Sequence, residues 1–153
     1  LNTRTDSREM NDAMNVAVRL DLPDHAAKLA ARVLTTPGIT SAMRGRAVNN
    51  FANYGSKKHL SLLDKAANET GVVLTIVKSP ALPTYEVQLR DVVLGLSIAL
   101  TDQKLTDYGF SDRYATVSGY ETQQYSHTRY YFEDDAARTK ALAKWAEWRK
   151  ANP

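Results

Sequence analysis

The chain has 153 residues, 43% of them apolar, with 20 Lys and Arg against 17 Asp and Glu and no cysteine. That length suffices for one domain, 1–153, around a single core without staples, and the missing cysteine excludes thiol nucleophiles, thiolate metal sites and disulfides. No apolar run approaches the roughly 20 residues of a membrane-spanning helix, so no span is expected; Leu1 in first place is what a processed exported protein or a trimmed chain would show, which leaves the compartment open.

The first third reads as punctuated helices. Asp6 suits the cap of a helix with Glu9 in its third position, and Met10, Ala13, Met14, Ala17 and Leu20 follow at helical spacing, predicting a helix over about 7–21. Pro23 fits the first turn of a second helix with Ala26, Leu29, Ala30, Val33 and Leu34 as its stripe, stopped by Pro37-Gly38. Thr40 or Ser41 opens a third, carrying Met43, Ala47, Val48, Phe51 and Tyr54 and ended by Gly55. Ser56 then caps an expected fourth, with Leu60, Leu63 and Ala66, closed by Gly71.

Setting His59-Leu60 under His25-Ala26 gives an offset of 34 residues that keeps both helix pairs in register. A repeat of that length built from paired helices predicts an α-solenoid. "MRGRAVNNFANYG", 43–55, aligns with "LRDVVLGLSIALT", 89–101, at an offset of 46, placing Arg44 on Arg90 and Ala47 on Val93. The surplus is "VVLTIVKSPALP", 72–83, a β-branched run followed by two prolines, read as an inserted extended segment. The helix expected from Thr84 to about Asp102 is apolar on nearly every side and should be the buried central one. A last helix opens at Asp134 and runs to about Ala151, with Ala141, Leu142, Trp145 and Trp148 docking it on the core.

Candidate chemistry is sparse. His25, His59 and His127 include no pair at the spacing of a helical metal site, so neither metal nor cofactor is expected. The nucleophile elbow, the Walker loop and the dinucleotide fingerprint are missing, and Asp134-Asp135 is accounted for by capping. No catalytic residue is assigned. Charge is unevenly spread: residues 25–63 hold Lys28, Arg32, Arg44, Arg46, Lys57 and Lys58 and no acid, whereas residues 102–135 hold seven acids against three cations. Such a polarity suits nucleic acid or another acidic partner, although solvated faces commonly carry such runs.

Residues 107–132 hold six of the eight tyrosines. Tyr108, Phe110, Tyr131 and Phe132 at the ends are expected to seal the helices. The middle, rich in Ser, Thr, Gln and Gly, is too poor in aliphatic residues for a core of its own and offers Tyr114, Tyr120 and Tyr125 as candidate recognition residues.

"MRGRAVNNFANYGSKKHLSLLDKA" resembles the HEAT-repeat pattern, an arginine and small apolar residues on one helix before a short turn and a leucine-rich partner. "VQLRDVVLGLSIALTDQKLTDYGF" and "YYFEDDAARTKALAKWAEW" are similar to the closing region of uncharacterised bacterial HEAT-like proteins. The resemblance implies an all-α fold of antiparallel helix pairs in a short HEAT-like α-solenoid, with minor β or loop insertions at about 72–78 and 113–132. The missing catalytic constellations, joined to a fold whose usual product is extended surface, point to a non-enzymatic module for a protein partner, through a groove carrying Arg44, Arg46 and Arg90 or through the tyrosine segment. The alternative is a nucleic-acid-binding protein of the DNA-repair type, using the basic stretch 25–63.

Overall fold

The computed structural model describes residues 7–77, 84–110 and 130–152. Among these residues five α-helices dominate: α1 (Ser7–Arg19), α2 (Pro23–Thr35), α3 (Ser41–Tyr54), α4 (Leu89–Leu100) and α5 (Asp135–Ala151). Two strands, β1 (Val72–Val77) and β2 (Thr84–Gln88), form an antiparallel pair with Leu74 opposite Val87 and Ile76 opposite Tyr85. One apolar core joins Met14 of α1, Leu34 of α2, Phe51 of α3 and Leu96 of α4 to Tyr130, Tyr131 and Phe132. No described helix is long and apolar enough to cross a membrane. The fold is thus mostly helical, as the sequence predicts at that level.

The helix ends follow local chemistry. Thr40 caps α3 by accepting from the Met43 amide, and Asp134 caps α5 by accepting from the Ala137 amide at 2.7 Å. Pro23 occupies the first turn of α2, where its missing N–H costs nothing. The expected cap of α1 at Asp6 lies outside the described residues.

α1 closes two residues earlier than the pattern suggests, because Asp21 takes a left-handed φ of 51°. The Leu22 amide then reaches back to the Ala17 carbonyl and the Asp21 amide to Val18, the paired closure usually built around glycine. α4 ends the same way, with Asp102 at φ 59° and Gln103 and Asp102 donating to Ile98 and Ala99. The short side chain of aspartate tolerates this backbone better than most. Of the expected α1 stripe, Met10, Met14 and Ala17 are buried, while Ala13 and Leu20 are exposed.

Two expectations are corrected. The fourth helix is instead two 3-10 turns, Lys57–Leu62 and Asp64–Ala66. Leu60, Leu63 and Ala66 fall every third residue, so a three-residue turn brings all three inward on one line. The central helix does not begin at Thr84, because Thr84 to Gln88 is β2. There Thr84 and Glu86 face out and Val87 faces in, a period of two, and β1 supplies the partner ladder. α4 starts only where the Asp91 carboxylate can accept from the Gln88 amide at 2.9 Å. From Leu89 to Ile98 only Arg90 escapes full burial, so the helix is central as expected. β structure therefore extends beyond the expected insertion at about 72–78, while the one expected at 113–132 lies, up to residue 129, outside the described residues.

Gly95 makes α4 central in a way a larger residue could not. A Cβ at that position would sit under 3 Å from three ring carbons of Tyr130, which is fully buried. The ring of Tyr130 lies directly on the helix backbone.

α5 is fastened at its first turn. The Arg138 Nε donates to the Asp91 Oδ1 at 2.8 Å, a terminal nitrogen donates to the Glu86 carbonyl at 3.2 Å, and another meets Asp135. The guanidinium also lies 5.9 Å from the Phe132 ring centroid. Asp91 is fully buried and Arg138 nearly so, which makes this pair the link between α5 and the β2–α4 junction. Further along, Trp145 and Trp148 stack at 4.9 Å, and Trp145 meets Tyr108 edge-on.

Candidate functional site

Cleft beside Arg44. The turn from α2 to α3 runs through Pro37 and Gly38, whose φ of 77° suits glycine, and brings Ile39 and Arg44 opposite the chain that enters β1. On that side the Leu89 amide donates to the Gly71 carbonyl and the Arg90 amide to the Glu69 carbonyl, so Glu69, Val72 and Leu89 form the facing wall. The space between is a cleft of about 400 Å3. Its walls are apolar at Ile39, Val72 and Leu89, with one cation, Arg44, and one carboxylate, Glu69.

Arg44 is half-buried and donates to the Thr36 carbonyl at 3.3 Å. Its Nε is shut away from water and has no acceptor. Burial pulls the guanidinium below its ordinary pKa, and the Glu69 carboxylate opposes that shift without reaching ion-pair contact. Arginine remains charged regardless, so an incompletely satisfied cation stands in a cleft whose lining is about evenly polar and apolar.

A second cleft of about 350 Å3 lies where the 3-10 turn Leu105–Tyr108 meets α5. Lys144 donates to the Asp107 carbonyl at 2.7 Å and sits 4.7 Å from the Tyr108 ring centroid. Tyr108 in turn donates to the Gln103 side-chain oxygen, and burial raises its pKa. These polar groups are mutually satisfied, and the arrangement reads as the docking joint of α5.

The structure separates residues that the repeat alignment makes equivalent. Arg44 lines the cleft, whereas Arg90 is held by Gln88 through its Nε at 2.7 Å, and Arg46 is exposed on α3. Of the three, only Arg44 lines this cleft. His25 is exposed, yet its repeat counterpart His59 is buried: its Nδ1 accepts from the Ser56 amide at 3.2 Å, and its Nε2 lies 3.6 Å from Asp24. Accepting at Nδ1 places the ring proton on Nε2. Burial lowers the His59 pKa against the pull of Asp24.

Two cations of the basic stretch meet acids, Lys57 with Asp102 at 3.3 Å and Lys58 with Asp24 at 2.8 Å. The Lys58 hydrogen bond holds Asp24 below the usual carboxylate range. The stretch is therefore less positive in space than along the chain. Tyr108, Phe110, Tyr131 and Phe132 are all buried, together with Tyr130, whereas Tyr114, Tyr120 and Tyr125 lie outside the described residues. Among the described residues no three His, Asp or Glu side chains cluster as a metal site would require.

Sequence reasoning missed Glu69 and Val72 as neighbours of Arg44. The only signal was Gly71 beside a β-branched run, which marks a change of element but not what it faces. Compared with protein-family models, curated proteins and solved structures, the chain matches none.

Proposed function

We propose that the chain is a short HEAT-like repeat module that works by holding a protein partner rather than by catalysis. The observation that carries this reading is the outer face of α1. α1 packs chiefly on α2 through Met10, Met14 and Ala17, and Val16 and Leu20, one turn apart, point away at 52% and 63% exposure, with Leu22 beside them at 41%. Helical stacks bury each pair against its neighbours, and an end helix that meets only water is normally polar on its outer side. α1 is not. The successive packing of α1 on α2, α2 on α3 and α3 on α4 supports the solenoid reading.

The test compares the wild-type chain with a Val16→Glu/Leu20→Glu double variant as immobilised bait. Both residues are exposed, so the variant should keep its melting temperature within about 2 °C. A protein retained by the wild type and lost by the variant is the expected result. Equal retention by both, or turnover of a metabolite panel by the chain, would overturn the reading, and retention of duplex DNA that falls steeply with salt would put the nucleic-acid alternative in its place.

A further inference from the structure

We infer that the Arg44 cleft is a binding site for a free aliphatic α-amino acid, with the carboxylate on Arg44, the ammonium on Glu69 and the side chain against Ile39, Val72 and Leu89. The site is independent of the α1 face. Three observations carry it, each of a different kind.

The first is the unmet bonding of Arg44. Among the described residues its one acceptor is the neutral Thr36 carbonyl, so the guanidinium has no counter-ion in contact, and because its Nε is closed to solvent a ligand could meet it only at the terminal nitrogens. A carboxylate is the ligand group whose two oxygens match those nitrogens and supply the missing negative charge. The second is Glu69. Its side chain is exposed at the same cleft and makes no hydrogen bond or ion pair among the described residues, and it interacts with Arg44 only at long range. A ligand bearing a carboxylate alone would satisfy Arg44 while being repelled by Glu69. A zwitterion satisfies both, the positive end meeting the carboxylate and the negative end the guanidinium.

The third is the wall. Ile39 and Leu89 are buried, whereas Val72 is 47% exposed, one of few large apolar side chains so placed. An aliphatic group resting there would cover Val72. The cleft of about 400 Å3 falls near the lower end of the roughly 300–1,000 Å3 of small-molecule sites. That size has room for a single amino acid.

Titration of the isotope-labelled chain with L-leucine, followed by NMR, tests the assignment. The expected result is a saturable shift of the Arg44 Nε–Hε signal and of the Ile39, Val72 and Leu89 methyls. Two fragments of leucine separate the charges: 4-methylpentanoate, which lacks the ammonium, and isoamylamine, which lacks the carboxylate. Each should bind at least about tenfold more weakly, as the loss of one charge-assisted contact implies. Glu69→Gln, a substitution on an exposed side chain, should lower leucine affinity to that of 4-methylpentanoate, and Arg44→Lys should weaken leucine with the fold intact. The proposal is overturned if leucine leaves the four residues unshifted, if 4-methylpentanoate binds as well as leucine, or if Glu69→Gln binds leucine unchanged.

Discussion

Replacing Arg138 by Met removes the cation from the most deeply buried ion pair while keeping most of the side chain's apolar length. Asp91 is then left with 0% exposure and, among the described residues, only the Gln88 amide as hydrogen-bond partner. Breaking a buried pair on one side costs about 3–5 kcal/mol, since the remaining charge keeps its desolvation penalty. Against a total stability of about 5–15 kcal/mol this is a large share, and at about 2–4 °C per kcal/mol it lowers the melting temperature by roughly 6–20 °C. Asp91→Asn should cost less, about 1–2 kcal/mol, because Arg138 retains the Glu86 carbonyl and Asp135 and the amide oxygen can still accept from Gln88.

The pair also carries a pH signature. Burial holds the Asp91 carboxyl above the ordinary carboxylate range, although Arg138 and the Gln88 amide lower it. Without Arg138 it rises further. The folded state of the variant then takes up a proton at a pH where the unfolded chain does not, so its deficit is greatest near neutrality and shrinks as the pH falls through the raised value. Urea titrations of wild type and both variants at neutral and mildly acid pH measure all three quantities. An Arg138→Met deficit below about 1 kcal/mol, or a deficit equal to that of Asp91→Asn, would refute the reasoning that the charge on Asp91 depends on this partner.

Three further outcomes are expected. The folded-state pKa of His59 lies below the unfolded value of about 6.5, so its contribution to stability is complete above that pH and is lost as the pH falls from there through the lowered value; His59→Asn should flatten that part of a stability-versus-pH curve. Gly95→Ala should destabilise by about 1–3 kcal/mol in chemical denaturation, despite the gain in helix propensity, because the methyl meets the Tyr130 ring, and a stabilised protein would show that the ring yields. Asp21→Gly should raise stability by about 0.5–1 kcal/mol by relieving a left-handed aspartate, measured as a shift of the denaturation midpoint.

The sequence by itself determined the elements whose signals are local. Pro23, Thr40 and Asp134 mark helix starts through the backbone N–H groups they satisfy or omit, and the stripes of α2 and α3 show their inner faces through spacing alone. The sealing role of Tyr108, Phe110, Tyr131 and Phe132 was legible too, because aromatics flanking helices have a core to enter. What lay beyond reach depends on partners distant in the chain. Thr84 to Gln88 continues without a break into the apolar run of α4, and only the ladder from β1 makes it a strand. The repeat alignment put Arg44 with Arg90 and His25 with His59, yet one member of each pair is turned to a different use by what stands opposite: a carbonyl and an apolar wall for Arg44, a glutamine for Arg90, solvent for His25 and a helix-capping amide for His59. Nothing local in the sequence marks Arg138 for the interior, and its burial was decided by Asp91, 47 residues earlier. The candidate cleft belongs to the same class: Arg44, Glu69 and Leu89 come from three separate elements, so it exists only once packing brings the α2–α3 turn against the start of β1. Local chemistry specifies where a segment bends and which face is apolar, whereas a site made of groups facing one another across the core is a property of the packed chain.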